Sequence, residues 1–337
     1  MINRNHPDVK WFYEELDKIS TPRTETILNY EDIRDLCLKN GADDVGFVEI
    51  DRTALGGQKE GILEAFPLTK SIISLAFRLN REPLRTSCHS LTSLEFSHVW
   101  EHANSSGRQV VKHLQAMGVA ALNLSAGFPY EVDRWPGNTF IASDKPIAVE
   151  AGLGQMGLNR LVLHPLFGSN IVFCTILVAA DFSKYNVAIG YNPCISCKLC
   201  VVVCPTGAIK ADGTFDFKPC FTHNYRERSA GFLDWVRYLT DSPSFKDYRQ
   251  RMTDAETISM WQNLSICPQT RCDRCVAVCP AGKENIGEYL SDTRQYLDRT
   301  IKKMRAKKET VYVIPGSEAE SLVKSRFPHK TAKRIGG

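Results

Sequence analysis

Apolar residues recur at regular spacing in the first part of the chain. Between residues 29 and 40 they fall three or four positions apart, and Gly41 follows them, so the pattern predicts a helix that ends at a glycine. Two shorter apolar runs, at 44–50 and 71–77, are typical of buried strands. Helical and extended segments therefore alternate in this region.

The pattern continues with one long helix and one long strand. The segment from about 96 to 118 ends at a glycine and has the length of a helix of several turns. The longest apolar run, residues 171–180, has ten residues, whereas a helix needs roughly 20 to cross a bilayer. We interpret it as a buried strand, and the alternation up to residue 182 indicates a layered α/β or α+β domain.

A polar stretch with a glycine and a proline, residues 185–193, marks a domain boundary. Blocks of cysteines set the pattern after it, and aromatic residues at helical spacing between 232 and 261 predict a helical insertion that covers the site formed by these blocks. We divide the chain into an N-terminal α/β domain (1–188), a cysteine-rich domain with this insertion (189–290) and a basic C-terminal tail (291–337).

Composition places the chain among ordinary core-forming proteins. Of its 337 residues, 43% are hydrophobic and 24% are charged, which excludes disordered and fibrous classes. The net charge is +4, with most of the basic excess in the C-terminal tail. We interpret this tail as a solvated surface in preference to a nucleic-acid or partner-docking patch, so nucleic acid is not an expected partner. The first residues contain no apolar leader or twin arginine, and we expect a cytoplasmic location with no membrane attachment.

Twelve cysteines carry the chemical information. In a compartment that keeps thiols reduced, cysteines at regular spacing indicate metal binding rather than disulfides. Residues 194–205 form an intact C-x2-C-x2-C-x3-C-P motif. In this motif three closely spaced thiolates bind three corners of one [4Fe–4S] cube, and the fourth ligates a second cube.

A second block, residues 272–280, is the same motif without its first cysteine, because Gln269 occupies that position. Crossed ligation assigns one cluster to Cys194, Cys197, Cys200 and Cys279, and the other to Cys204, Cys272 and Cys275 with one further ligand. Cys220 and Cys267 are both candidates for that ligand. A zinc site is not favoured, because no histidine interleaves these thiolates. We interpret Cys37, Cys88 and Cys174 as buried small hydrophobic residues.

A glycine-rich segment precedes the cysteine blocks. Residues 150–160 have the G-x-G-x-x-G spacing of a dinucleotide fingerprint, but Pro146 is close upstream and no clear strand leads into it. We expect instead that the glycines allow the backbone to approach a large ligand. The candidate ligand-binding residues are Gly152, Gly154, Gly157, Asn159, Arg160 and Ser169.

Three segments together resemble a known superfamily. These are 146–157, 163–169 and the C-P-T-G-A-I run at 204–209, and the likeness extends over about residues 30–290. The sequence resembles the corrinoid-dependent reductive dehalogenases and epoxyqueuosine reductases. The resemblance implies an α+β protein in which a nitroreductase-like α/β domain binds cobalamin and a ferredoxin-like domain with two [4Fe–4S] clusters supplies electrons. It also implies that Cys220, rather than Cys267, completes the second cluster.

The same resemblance suggests proton donors but does not identify the substrate. The family's aspartate followed by P-V-L-E-R corresponds to Asp144–Glu150 here, which is several residues shorter. Asp144, Lys145 and Tyr130 are the candidate catalytic residues, although Tyr130 could instead pack and Asp144 could cap a turn. His223 is a candidate for a contact that tunes the second cluster.

Two functions follow from these observations. In the first, the protein is a reductase that takes electrons from a low-potential donor, a ferredoxin or flavodoxin, and uses cobalamin to dehalogenate or deoxygenate a small organic substrate. In the second, it is a ferredoxin-type electron-transfer protein without catalysis. The sequence does not indicate an oligomeric state.

Overall fold

A computed structural model of the chain describes residues 2–15, 27–134 and 139–335. It contains helices and strands in one mixed arrangement, so the α+β class is confirmed. The helices are α1 Pro7–Glu15, α2 Tyr30–Lys39, α3 Gln58–Ala65, α4 Arg81–Leu84, α5 His89–Ala116, α6 Asp144–Glu150, α7 Leu199–Val203, α8 Phe217–Asn224, α9 Ser229–Thr240, α10 Phe245–Arg251, α11 Asp254–Ser265, α12 Arg274–Ala277, α13 Lys283–Ser291, α14 Thr293–Leu297, α15 Lys303–Ala306 and α16 Glu318–Arg326. Short 3₁₀ turns lie at Thr53–Leu55 and Val132–Arg134, and a π-helical turn, Asp298–Lys302, joins α14 to α15.

The strands form one sheet of four strands and three pairs. They are β1 Ile27–Leu28, β2 Asp44–Glu49, β3 Ser71–Arg78, β4 Ala121–Asn123, β5 Gln155–Met156, β6 Val162–Leu163, β7 Ile171–Val178, β8 Asp181–Phe182, β9 Thr310–Val313 and β10 Thr331–Arg334. The four-stranded sheet has the order β2-β3-β7-β4, and β4 runs antiparallel to β7. β1 and β8 pair in parallel, β5 and β6 form an antiparallel pair, and β9 and β10 are parallel.

The predicted elements of the first half are confirmed. Asn29 caps α2 by accepting hydrogen bonds from the backbone N–H groups of Glu31 and Asp32, and Gly41 follows the helix with a φ of 101°. The long helix α5 begins at residue 89 rather than at about 96. Polar residues such as Glu95 are buried in its first turns. Apolar periodicity therefore does not predict that these turns are part of the helix.

The chain divides into two compact units that are discontinuous in sequence. The first comprises Met1–Leu75, Ala103–Ala151 and Cys174–Val187, and the second Ala76–His102, Gly152–Phe173 and Ala188–Gly337. The division into 1–188, 189–290 and 291–337 stays a prediction, and these units follow other boundaries.

In the first unit, the Phe47 ring packs 5.0 Å from Tyr30 and 4.5 Å from Phe182, measured between ring centroids.

The second unit contains the cysteine blocks, the predicted helical insertion and the C-terminal segment. The insertion is helical, as α9, α10 and α11. The C-terminal segment was expected to be a solvated tail, but between residues 293 and 335 it is folded. Tyr296, Met304, Tyr312 and Phe327 are buried there, because the segment contains apolar residues as well as the basic ones. No helix in the described part of the chain combines the length and apolar composition needed to cross a membrane.

Candidate metal centre

Four cysteines from both blocks line one cavity in the second unit. The cavity measures about 20 Å³, and its thiols belong to Cys194, Cys197, Cys200 and Cys279. Burial raises the pKa of Cys200 to about 12, and the proximity of the other three thiols acts in the same direction. These four sulfurs therefore lie close together, although Cys279 is 75 or more residues away in sequence from the other three.

The local backbone explains how the first block curls around this cavity. Ser196 and Lys198 adopt left-handed conformations, with φ of 54° and 58°. Non-glycine residues adopt this conformation at a cost, so two in three positions indicate a backbone held in a tight turn. The turn directs Cys194, Cys197 and Cys200 toward the same cavity, and α7 begins directly after it.

The remaining cysteines of the blocks form a second group with Cys220. Cys220 packs with Cys200, Cys204 and Cys275 in one buried cluster. Burial raises the pKa of Cys275 well above its ordinary value, and the nearby thiols of Cys272, Cys220, Cys204 and Cys200 add to this effect. Cys204, Cys220, Cys272 and Cys275 therefore form a second group, and Cys200 of the first group lies against it.

Cys267 is placed differently. Its Sγ accepts a hydrogen bond from the side-chain amide of Gln269 at 3.4 Å. The residue that replaces the missing cysteine of the second block therefore contacts the alternative candidate ligand. Among the other cysteines, Cys37 and Cys174 are buried, as predicted, whereas Cys88 is exposed and that prediction was wrong.

The two thiol groups have the chemistry that iron–sulfur clusters require. A buried thiol with a raised pKa ionises only when a nearby cation stabilises the thiolate, and bound iron provides that stabilisation. In the described part of the chain, no three His, Cys, Asp or Glu side chains are spaced for a single metal ion. Four thiols that converge on one place suit a cubane, whose four irons bind ligands at separate corners.

The second group lies beside a buried network of charges. Arg274 Nη1 is 3.7 Å from Cys272 Sγ, and the same guanidinium forms an ion pair with Glu309. Lys330 Nζ lies 2.7 Å from the other carboxylate oxygen of Glu309. Burial acts to raise the pKa of Glu309, but Arg274 and Lys330 outweigh it and lower that pKa to about 2. Arg274 and Lys330 thus both pair with Glu309, and Arg274 also lies against the Cys272 thiol.

His223 is buried close to this network. It lies on α8, one turn after Cys220, and its Nδ1 accepts a hydrogen bond from the backbone N–H of Tyr312 at 3.4 Å. Burial, assisted by the charge of Arg274, lowers the pKa of His223 well below its ordinary value, so the ring is neutral. Its influence on the second cluster stays a prediction.

The glycine-rich segment has a structural explanation within the protein. A Cβ on Gly154 would lie 2.4 Å from the backbone oxygen of Leu163, and one on Gly157 would lie 2.6 Å from the Leu163 side chain. Gly152 has a φ of 74° directly after α6. The segment therefore packs against the β5–β6 pair, and it follows a helix rather than the strand of a dinucleotide fingerprint.

The polar residues of this segment hold the second cysteine block. Asn159 Nδ2 donates a hydrogen bond to the Cys275 carbonyl at 3.2 Å, and Ser169 Oγ donates to the Val276 carbonyl at 2.9 Å. Burial raises the pKa of Cys279 to about 11, and a hydrogen bond with Ser169 partly opposes this rise. Arg160 is exposed and has a left-handed φ of 59°. Sequence spacing contains no signal for these contacts.

The three candidate catalytic residues lie in the first unit. Asp144 is the first residue of α6, and its Oδ1 accepts a hydrogen bond from Thr175 Oγ1 at 2.6 Å. Burial raises the pKa of Asp144 to about 6, although Thr175 and Lys145 oppose the rise. The Tyr130 ring packs 4.4 Å from Phe128 and 5.2 Å from Phe140, measured between centroids, and Lys145 is exposed.

Comparisons with known proteins agree with this site. Residues 187–210 match the model of the 4Fe-4S binding domain. Curated relatives include epoxyqueuosine reductases from Bacillus anthracis (26% identical over 42% of this chain and 30% of the relative), Francisella cf. novicida (24% over 48% and 45%) and Listeria monocytogenes (28% over 41% and 29%). The chain is similar in sequence to these epoxyqueuosine reductases. It spans less than half the length of these relatives.

Similar solved structures include an epoxyqueuosine reductase and a reductive dehalogenase. The epoxyqueuosine reductase from Streptococcus thermophilus has a TM-score of 0.46, with 15% identity over 80% of this chain and 74% of that one. A reductive dehalogenase, described as suggesting a mechanism for B12-dependent dehalogenation, has a TM-score of 0.43, with 16% identity over 76% and 37%. At these values no detail of a site is transferred to this chain.

One further similar structure is an epoxyqueuosine reductase described with an epoxyqueuosine-modified tRNA stem loop (TM-score 0.42, 19% identity, covering 56% of this chain and 54% of that one).

Proposed function

We propose that the protein is an iron–sulfur reductase that uses two [4Fe–4S] clusters to supply electrons for reductive dehalogenation or deoxygenation of an organic substrate. The observation that carries this proposal is the crossed grouping of the cysteines. Cys204 belongs to the first block but lies with the second group, and Cys279 belongs to the second block but lies with the first. Such an exchange is the arrangement of two-cluster ferredoxins.

The packing between the blocks supports electron transfer between two clusters. The short helices inside the two blocks, α7 and α12, contribute Val203 and Val276 to one buried apolar core, and Val278 follows α12 into it. When bound, each cluster accepts and releases single electrons. A rigid apolar core holds the two thiol groups at a constant separation, and it excludes water from the space between them.

A corrinoid is the electron acceptor that the family relationship implies, and it would supply a low-potential cobalt centre for reductive bond cleavage. The residues assigned to it from the sequence do not fit that role. Gly154 and Gly157 face Leu163, and Asn159 and Ser169 hold the second cysteine block. The proposal that a corrinoid binds therefore depends on the sequence similarity alone.

Asp144 is the proposed proton donor. A pKa of about 6 leaves part of its population protonated near neutral pH, which is the condition for a general acid. Its Oδ1 accepts the hydrogen bond from Thr175, so we assign the proton to Oδ2. Tyr130 packs against aromatic rings and Lys145 is exposed, which makes both weaker candidates.

The test is anaerobic expression with cobalamin, followed by quantification of iron, sulfide and cobalt in one preparation. We expect about eight iron and eight sulfide per chain, as two cubanes require, and cobalt that stays bound through gel filtration. Colourless protein that contains zinc in place of iron would contradict the iron–sulfur proposal. Iron without retained cobalt would contradict only the corrinoid part.

A further inference from the structure

We propose that a basic groove beside the second cysteine block is the docking surface for an acidic electron-carrier protein. The groove is lined by Arg85, Arg299, Lys303 and Lys307, all in the second unit. The inference rests on the proposed function, because it concerns how electrons reach the clusters. It differs from the sequence interpretation, which treated these C-terminal basic residues as a solvated tail.

The cations form a continuous stripe. Arg299 and Lys303 are four residues apart in the helical turns that join α14 to α15, and Lys307 follows four residues later. These three cations line one surface groove of about 870 Å³, which is large enough for a segment of another protein.

The acidic residues of the groove are already neutralised. Glu288 pairs with Arg81 at 3.2 Å and with Arg85 at 2.9 Å. Glu82 lies 3.9 Å from Arg85. Within the described ranges, neither Arg299 nor Lys303 forms an ion pair, and both side chains are exposed. Arg299 and Lys303 therefore present positive charge that pairs with no carboxylate among the described residues.

The groove adjoins the loop that carries two cysteines of the second group. A small cavity of about 20 Å³ shares Lys303 and Lys307 with the groove, and its other lining residues include Asp273 and Arg274, which lie between Cys272 and Cys275 in sequence. At its wall, Lys307 Nζ is 2.9 Å from His89 Nε2. Burial lowers the pKa of His89 to about 3, so its ring is neutral and accepts this hydrogen bond. Lys307 is thereby held between the groove and the cluster loop.

The position of the groove favours a protein electron carrier over nucleic acid. A carrier must bring its own redox centre close to a cluster, and this groove opens beside the loop that holds one. Charge complementarity between a basic groove and an acidic carrier accelerates association and makes it sensitive to salt. Nucleic acid is also attracted to cations, but contact with the cluster ligands offers it no advantage.

The test compares charge reversal in the groove with charge reversal elsewhere. The holoprotein is reduced in a stopped-flow instrument by an acidic ferredoxin, or by methyl viologen radical, a small cation that needs no docking site. The variant is Arg299→Glu with Lys303→Glu, and the control is Lys39→Glu with Lys246→Glu, two exposed lysines on α2 and α10. Arg299→Gln with Lys303→Gln provides a milder version.

We expect the groove variant to lower the second-order rate constant with ferredoxin at least tenfold at low salt, the neutral variant to lower it less, and the control to leave it nearly unchanged. Reduction by methyl viologen should be equal in all four proteins. Equal ferredoxin rates in groove and control variants, or an equal loss with methyl viologen, would overturn the proposal. So would loss of tRNA binding in the groove variant with an unchanged ferredoxin rate. Failure of the wild-type chain to assemble clusters would instead contradict the proposed function.

Discussion

Arg274 lies directly against the thiol of Cys272, with 3.7 Å between Nη1 and Sγ. The two residues are neighbours in sequence, but Arg274 is oriented by Glu309, which is 35 residues further along. Its side chain is only 6% exposed. A cluster gains negative charge when it is reduced, so a buried cation at this position stabilises the reduced form.

We predict that Arg274→Gln lowers the reduction potential of one cluster and leaves the other nearly unchanged. At a fixed potential, the ratio of reduced to oxidised cluster should fall about tenfold, which corresponds to about 59 mV for a one-electron step. Redox titration followed by electron paramagnetic resonance measures this. Glu309→Gln removes a negative charge from the same network and should shift the potential in the opposite direction.

The two opposite shifts separate electrostatics from structural damage. Structural damage would not produce shifts whose sign depends on the sign of the charge removed. If both substitutions moved the potential in the same direction, the electrostatic explanation would therefore fail. Arg249→Gln serves as a matched control, because Arg249 is exposed and pairs with Asp254 on the surface of α10 and α11.

Cys220 and Cys267 provide a second prediction. Because Cys220 packs with Cys204 and Cys275, Cys220→Ser should remove one ligand of the second cluster and reduce the bound iron from about eight to between four and seven per chain. Cys267→Ser should retain the full complement. Iron analysis and electron paramagnetic resonance after identical anaerobic reconstitution measure both variants, and the reverse result would assign the ligand to Cys267.

Cysteine spacing predicts which thiols lie close together, for a physical reason. Cys194, Cys197 and Cys200 come from a single short segment, so their proximity is local and visible in sequence. Their role as cluster ligands stays a prediction. The exchange of Cys204 and Cys279 follows from the motif itself. By contrast, Arg274, Glu309 and Lys330 are joined only by the folded chain, and nothing in their spacing indicates that they meet.

The glycine-rich segment shows a different limit of sequence analysis. A glycine looks the same in the sequence whether a ligand or the protein itself occupies the space beside it. Here Leu163 fills the space beside Gly154 and Gly157. The C-terminal segment was misinterpreted because its basic residues outnumber the buried ones, such as Tyr312 and Phe327, that fold it.

The pKa of Asp144 leads to a prediction about pH. This pKa is raised from 3.8 to about 6 in the folded protein, so the unfolded chain releases its proton at lower pH than the folded one. The Asp144 carboxyl therefore lowers the free energy of unfolding as the pH rises from 3.8 to about 6. Asp144→Asn removes the penalty, and its stability advantage over wild type should grow by about 1 kcal/mol between pH 5 and pH 7.

Chemical denaturation of both proteins at several pH values measures this difference. Asp51→Asn is the control, because its carboxylate is 78% exposed and should show no such trend. A constant difference between Asp144→Asn and wild type across this range would show that the carboxyl is not perturbed. If Asp144 is the proton donor, the same substitution should also abolish turnover while the clusters stay reducible.

Gly168 packs against the backbone that carries Cys279, a predicted ligand of the first cluster. Its φ is +62°, and a Cβ there would lie 1.9 Å from the backbone oxygen of Ala281, two residues after Cys279. Gly168→Ala therefore forces the chain that carries this cysteine to move. Gly316 offers a matched control, since its φ is +71° but a Cβ there would meet nothing within 4 Å.

Gly316→Ala should cost only the conformational strain of a left-handed alanine, about 1–2 kcal/mol in the free energy of unfolding, with both clusters intact. Gly168→Ala should cost the same strain plus about 1–3 kcal/mol for the backbone clash, and it should lose iron from the group that contains Cys279. Thermal unfolding and iron content, measured on both variants, distinguish the two effects. Equal losses in the two proteins would mean that strain alone acts at Gly168, and that the Ala281 contact does not position the cysteine.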